Sequence, residues 1–175
     1  AGNAILSIYE CDFEIVTKTD ESPLTEADLA AHNVIIAGLE AISDLPILSE
    51  ESADIPWSTR QTWDSYWLVD PLDGTKEFIK KNGEFTVNIA LISGGTPVFG
   101  VVYAPVLDTL YSGVVGAGAT KTVKGEATAM SPALRSDASV YHVVGSRSHQ
   151  SPEIQQFIAA LDKEAELVSM GSSLK

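Results

Sequence analysis

Apolar residues recur in two different periods along this chain, and the changes of period mark its elements. From Thr25 to about Ile42 they fall at Leu29, Val34, Ile35, Ile36, Leu39 and Ile42, a roughly helical spacing. Thr25, followed three residues later by Asp28, reads as a capping-box-like start for that helix. Residues 2–9 read as the remnant of another. Tyr66-Trp67-Leu68-Val69 is a short buried strand, and Phe85 to Ile92 and Val98 to Tyr103 are two richer ones. Ser93-Gly94-Gly95-Thr96-Pro97 joins that pair as a hairpin, and Thr109 to Ser112 adds a further strand. Tyr141 to Val144 is another strand. A helix succeeds it from about Pro152 to Leu161, with Ser151 as N-cap and Pro152 at its first position. Helix, meander, then strand and helix predict a layered α/β (α+β) sandwich. No repeat, low-complexity tract or linker interrupts the chain, so residues 1–175 are expected to form one domain.

Composition narrows the function classes. The chain carries 24 acidic and 11 basic residues, a net charge of −13, which argues against nucleic-acid binding or docking on anionic lipid. Seventeen of the acids but only five of the bases lie in residues 1–84. That acidic half is either a solvated surface or a cation site. No run approaches 18 apolar residues, so no spanning helix is expected, and the first ten residues lack the basic flank of a secretory signal. The single Cys11 excludes a disulfide framework and a cysteine zinc site, and is compatible with a reducing compartment.

The segment Trp67-Leu68-Val69-Asp70-Pro71-Leu72-Asp73-Gly74-Thr75 concentrates the chemistry. An apolar strand runs into two carboxylates, whose desolvation a hard divalent cation such as Mg²⁺ would offset. Pro71 stiffens the turn, so that Asp70, the Leu72 carbonyl and Asp73 can face one point. Gly74 permits close backbone approach, and the amides of Gly74 and Thr75 would open a helix, where phosphate binds well. The Thr75 hydroxyl would then orient a water molecule. The bland alternative is a tight turn whose aspartates cap the next helix. Glu50 and Glu51 come after Pro46-Ile47-Leu48 and are either a solvated loop or a source of one more metal ligand. Asp28 is equally open between capping and function. An EF-hand is excluded because Leu72 stands where an oxygen ligand is required.

Taken together, Leu48-Ser49-Glu50-Glu51 and Trp67 to Phe78 resemble the signature of the lithium-sensitive, Mg²⁺-dependent inositol monophosphatase superfamily. The similarity extends through Ser22 to Asp28, Lys76 to Ile92, Gly100 to Pro105, Ser146 to His149 and Gly171 to Lys175, and it is closest to the family's 3′(2′),5′-bisphosphate nucleotidase branch. The resemblance implies that Glu50, Asp70, the Leu72 main-chain oxygen and Asp73 bind two or three Mg²⁺ ions. It implies that Gly74 and Thr75 hold the scissile phosphate, and that Asp28 with Thr75 activates water. Ser148, His149, Ser172 and Lys175 match segments that contact the nucleotide and its second phosphate. The family pattern continues beyond Lys175 and the first helix reads as clipped, so the chain is expected to be a fragment truncated at both ends, one that need not itself be active.

The activity implied is hydrolysis of 3′-phosphoadenosine 5′-phosphate to AMP and phosphate, which clears a by-product of sulfate assimilation. Inositol monophosphatase or fructose-1,6-bisphosphatase activity at the same metal site is the nearest alternative. An aspartyl-phosphate phosphatase fits less well, because the two aspartates are one residue too far apart. A non-catalytic cation or nucleotide sensor is the alternative of a different class. The resemblance further implies a cytoplasmic protein, monomeric or homodimeric, with a small-molecule substrate. Some relatives sit peripherally on the inner membrane, but nothing in this sequence supports membrane attachment.

Overall fold

A meander of hydrogen-bonded strands forms the frame on which everything else is placed. The computed structural model describes residues 1–11, 23–52, 54–131, 139–147 and 151–175. In chain order the elements are α1 (Gly2–Tyr9), α2 (Pro23–Glu40), β1 (Ile47–Ser49), α3 (Trp57–Arg60), β2 (Ser65–Asp73), α4 (Thr75–Ile79), β3 (Thr86–Ser93), β4 (Thr96–Ala104) and β5 (Thr109–Val114). They continue with β6 (Gly118–Val123), β7 (Glu126–Met130), β8 (Val140–Ser146), α5 (Pro152–Ala159), β9 (Glu164–Met170) and a short 3₁₀ turn, Ser172–Leu174. Strands β1 to β7 lie in sequence order in one sheet, with β1 parallel to β2 and every later neighbour antiparallel. Strands β8 and β9 form a separate parallel pair, with α5 in the connection that parallel strands require. The predicted α/β layering is therefore present, as a mixed sheet with flanking helices.

Local chemistry explains the turns. Gly94 and Gly95 both take positive φ, 55° and 75°, as a two-residue hairpin turn demands, so β3 and β4 pair directly. Lys124 and Gly125, at 48° and 83°, repeat the device between β6 and β7. These two outer strands were not expected from the sequence. They are largely solvent-exposed, so no buried face imposed an alternation on them. Strand β9 was also unforeseen, although Ala165 and Leu167 alternate with Glu164 and Glu166.

The helix between Thr25 and Ile42 is present, and its buried stripe meets the expected positions at Ile35 and Leu39 only. Ala27, Ala31, Ile35 and Leu39 are the core positions, four residues apart on one face. Leu29 and Val34 are exposed at 42% and 50%, and Ile42, beyond the helix, at 73%. Small residues at Ala27 and Ala31 let α2 approach closely, so bulk was the wrong guide to the packed face. The described helix also begins ahead of Thr25, so Thr25 and Asp28 lie within it and do not cap it.

Helices α1 and α2 pack on the sheet face that Trp67, Val69 and Val87 present. At its centre Tyr9, Phe78 and Phe85 meet edge to face, with ring centroids 4.9 to 5.4 Å apart. Phe78 and Phe85 are fully buried and flank the loop after α4, so the aromatic cluster holds α4 against β3. Among the described residues no helix is long and apolar enough to cross a membrane. Replacing Phe85 with Ala is expected to destabilise the fold by about 3–5 kcal/mol, the usual range for emptying a buried aromatic site. Urea unfolding measures it, and a loss below about 1 kcal/mol would show that this cluster is not the core.

Candidate active site

The acidic residues singled out from the sequence come together at one end of β1, β2 and α2. Strand β2 brings two of them there through an irregularity. Asp70 pairs with Asn88 and Asp73 with Thr86, so a step of three residues on β2 matches a step of two on β3. Residues three apart on a regular strand face opposite sides of the sheet. The extra residue reverses that parity and puts Asp70 and Asp73 on the same side. Pro71, fully buried, sits in this bulge, where its missing N–H breaks no regular ladder. The predicted convergence of Asp70 and Asp73 thus arises from a bulge within a strand that runs through Pro71 to Asp73, and not from a turn.

Glu50 stands at the end of β1, where its N–H extends the parallel ladder to the Val69 carbonyl at 3.1 Å. Asp28 reaches the same region from α2. Burial, followed by the charges of Glu51, Asp70 and Glu50, pushes the Asp28 carboxyl up to about 7. Burial, with the charges of Asp73 and Glu50, pushes Asp70 up to about 6, although the Leu72 N–H and the Asn88 amide oppose the shift. Asp73 differs. Burial pushes it up, yet the hydroxyls of Ser172 and Ser173, the Asn88 amide and the Lys175 charge together hold it below the usual carboxylate range.

Unpaired oxygens mark where a cation belongs. Among the described residues, Asp28 Oδ1, Asp70 Oδ1 and Asn88 Oδ1 are buried acceptors without a hydrogen-bond partner. Such atoms are costly unless something positive meets them, and an all-oxygen set suits a hard cation. These residues therefore fit Mg²⁺ chemically. Their arrangement is looser than a finished ligand set: among the described residues no three His, Cys, Asp or Glu side chains are grouped closely enough to hold one ion. Glu50, Asp70 and Asp73 thus share one end of the sheet, near enough for Glu50 and Asp73 to raise Asp70, without closing on one point. Asp73 Oδ2 is instead engaged by Ser172 Oγ at 2.5 Å and Ser173 Oγ at 2.7 Å.

Gly74 opens α4 with φ 103°, and a Cβ there would lie 3.1 Å from Ser172 and 3.2 Å from Phe85. Both conformation and space demand glycine at this position. Thr75 is the first residue of α4; it is exposed and makes no side-chain hydrogen bond to Asp28 among the described residues, so the expected pairing of the two is absent. The Leu72 side chain is buried. Ser172, expected to face substrate, takes φ 50° and touches Asp73 and Thr86, while Lys175 Nζ donates to the Ser172 carbonyl. Ser148 and His149 lie outside the described residues. An open cavity of about 720 Å³ is lined by Glu50, Asp70 and Asn88 together with the apolar Leu68, Ile89 and Val102.

Two contributors, Asn88 and His32, were not anticipated. Asn88 bridges Asp70 to Ser173, whose Oγ accepts from Asn88 Nδ2 at 3.1 Å. Glu51, offered with Glu50 as a metal ligand by the sequence, lies near enough to Asp28 to raise its carboxyl. His32 Nδ1 lies 2.9 Å from the buried Ser49 hydroxyl and ties α2 to β1 one residue before Glu50. His32 stands four residues after Asp28, on the same helical face, and that spacing was the available signal.

The sequence profile described as the Inositol monophosphatase family matches residues 1–175. The 3′(2′),5′-bisphosphate nucleotidase CysQ of Escherichia coli K12 is 50% identical over 179 residues, covering 100% of this chain and 70% of that protein. The Buchnera aphidicola protein of the same name is 43% identical, with 65% of its length covered. Among solved structures, CysQ from Bacteroides thetaiotaomicron, described as a bacterial member of the inositol monophosphatase family, superposes with a TM-score of 0.85 at 43% identity, covering 99% of this chain and 69% of that one. The extragenic suppressor protein suhB of Bartonella henselae gives 0.67 at 26% identity, covering 98% and 64%.

The crowded carboxylates predict a particular pH dependence. Asp28 and Asp70 bind protons more tightly folded than unfolded, where both would titrate near 3.8. Their stabilising contribution is full below that value and is lost as pH rises through about 6 and 7. Without divalent cations, the melting temperature is expected to fall between about pH 4 and pH 7, and Mg²⁺ is expected to restore it at the upper end. Asp28→Asn flattens the decline. A level profile in thermal scans would remove the mutual repulsion on which this site is built.

Proposed function

The chain belongs to the inositol monophosphatase family, and from that premise we propose that it is a Mg²⁺-dependent, lithium-sensitive phosphomonoesterase acting on 3′-phosphoadenosine 5′-phosphate, giving AMP and phosphate. The observation that carries the reading is the pair of buried, unpaired carboxylate oxygens on Asp28 and Asp70, beside a glycine that opens a helix. An anionic substrate approaches such a cluster only when cations have inverted its field. The substrate class rests on the relatives named as bisphosphate nucleotidases. The by-product role in sulfate assimilation belongs to the same reading.

Glu50, Asp70, the Leu72 carbonyl and Asp73 would hold Mg²⁺. When bound, the ion supplies Lewis-acid stabilisation of charge on the phosphate. The chain's own groups do the rest. The amides of Gly74 and Thr75 bind and orient the phosphate, and the glycine admits it close to the backbone. Asp28, whose carboxyl titrates near neutrality, accepts a proton from the attacking water, with the Thr75 hydroxyl orienting that water. Ser148, His149 and Lys175 bind the nucleotide and its second phosphate. Ser172, already seated on Asp73, acts at the junction between phosphate and nucleotide.

Phosphate release from 3′-phosphoadenosine 5′-phosphate, inositol 1-phosphate and fructose 1,6-bisphosphate, each with Mg²⁺ and with or without Li⁺, tests the proposal. The nucleotide is expected to be strongly preferred and its turnover inhibited by lithium. Asp73→Asn is expected to lower turnover by at least about a hundredfold, the scale of losing one charge-stabilising group. Preference for a sugar or inositol phosphate would replace the substrate assignment, and full activity of Asp73→Asn would overturn the metal assignment.

A further inference from the structure

Resting on that reading of Asp73, we propose that Glu84 and Arg147 form a positioning clamp. The pair holds residues 171–173 so that two serine hydroxyls fix the Asp73 carboxylate for cation binding. Arg147 comes directly after β8 and grips Glu84 with both prongs of its guanidinium, Nε to Oε2 at 2.7 Å and Nη2 to Oε1 at 2.6 Å. Planar two-point contact of this kind fixes direction as well as distance. The same Nη2 reaches the Ser169 carbonyl at 2.8 Å, and the Arg147 N–H donates to the Met170 carbonyl at 2.9 Å. Glu84 Oε2 also accepts the Gly171 N–H at 2.8 Å. One carboxylate just ahead of β3 therefore gathers the ends of β8 and β9.

The segment from Gly171 to Ser173 gives this ion pair its role. A Cβ on Gly171 would lie 2.5 Å from Glu77 Cγ and 3.1 Å from Glu84 Cβ, so the main chain is seated tightly at this point. The next residue, Ser172, is held in the left-handed region at φ 50°. Its hydroxyl lies 2.5 Å from Asp73 Oδ2 and 2.6 Å from Thr86 Oγ1. Ser173 Oγ donates to the same Asp73 oxygen at 2.7 Å and accepts from Asn88 Nδ2 at 3.1 Å. An unbroken chain of contacts thus runs from the Arg147 fork through Glu84 and Gly171 to Asp73. Exposed ion pairs contribute little to stability, and the Arg147 side chain is 46% exposed. The clamp's effect should therefore register at Asp73 and scarcely in the melting temperature. Partners that orient a metal-binding carboxylate are typically worth about 10–100-fold in metal affinity.

Mn²⁺ alone, titrated into the protein and followed by the paramagnetic resonance of the free ion, reads the clamp without any turnover. Arg147→Ala and Glu84→Ala are expected to weaken Mn²⁺ binding about 10–100-fold while the melting temperature stays close to wild type. Glu84→Gln, which keeps an acceptor for the Gly171 N–H, should weaken it less and guards against a variant that fails to fold. The double variant Ser172→Ala/Ser173→Ala should reproduce the loss, and adding Arg147→Ala to it should cost little more. In kinetics the loss should appear in the Mg²⁺ activation constant and in kcat, and less in KM. Unchanged Mn²⁺ affinity in a folded Arg147→Ala or Glu84→Gln protein overturns the clamp and leaves the proposed function standing. A wild-type protein that binds no Mn²⁺ overturns both.

Discussion

Negative charge that has no ion-pair partner among the described residues is the constraint around which this structure is arranged. Asp28, Glu50, Glu51 and Asp70 come from two strands' ends and a helix, and burial raises two of them toward neutrality. A protein that needed only stability would put an Arg among them or replace them with apolar residues, since buried charge is costly. Here the cost is carried by the surrounding frame. Strand β2 is held on both sides, by β1 and by β3, and the aromatic cluster of Tyr9, Phe78 and Phe85 fixes the helix just beyond the bulge. Rigid neighbours keep the carboxylates from separating.

Asp73 is treated differently from the others. Two hydroxyls and an amide meet it, and the Lys175 charge lies nearby, so it is kept ionised while Asp28 is close to protonation. Asp70 and Asp73, three residues apart on one strand, are likewise pushed in opposite directions. Groups whose environments push their titration apart are suited to different chemical tasks. The division depends on the second, smaller sheet. Strands β8 and β9 deliver Gly171, Ser172 and Ser173 to a carboxylate about a hundred residues earlier in the chain. The same sheet is the one that Arg147 ties to Glu84.

The frame and much of the site were legible in the linear sequence. The hairpin at Gly94-Gly95 and the strands flanking it come from turn chemistry and alternation, and the helix over Thr25 to Ile42 from its period. The acidic residues Asp28, Glu50, Asp70 and Asp73 stood out as carboxylates near apolar segments. The outer strands β6 and β7 did not, because strands without a buried face carry no alternation. The packed stripe of α2 was met only at Ile35 and Leu39, because close approach elsewhere on it selects Ala27 and Ala31 over larger residues. Thr75 was expected to pair with Asp28 and instead stands exposed at the start of α4.

Sequence by itself determined which residue types are present to do chemistry: clustered oxygen acceptors, a glycine that tolerates φ 103°, and a stiff proline between two aspartates. Those are properties of side chains and of short backbone stretches, and they survive in a linear reading. Tertiary structure decided which acceptors were left unpaired. Asp70 Oδ1 is bare while Asp73 Oδ2 has two hydroxyl donors, although the two residues lie three apart in one motif. The donors come from Ser172 and Ser173, and the bulge that turns both carboxylates to one side exists only in the register between β2 and β3. Hydrogen-bond satisfaction depends on which distant groups arrive within about 3 Å, and that is a consequence of packing, not of local pattern.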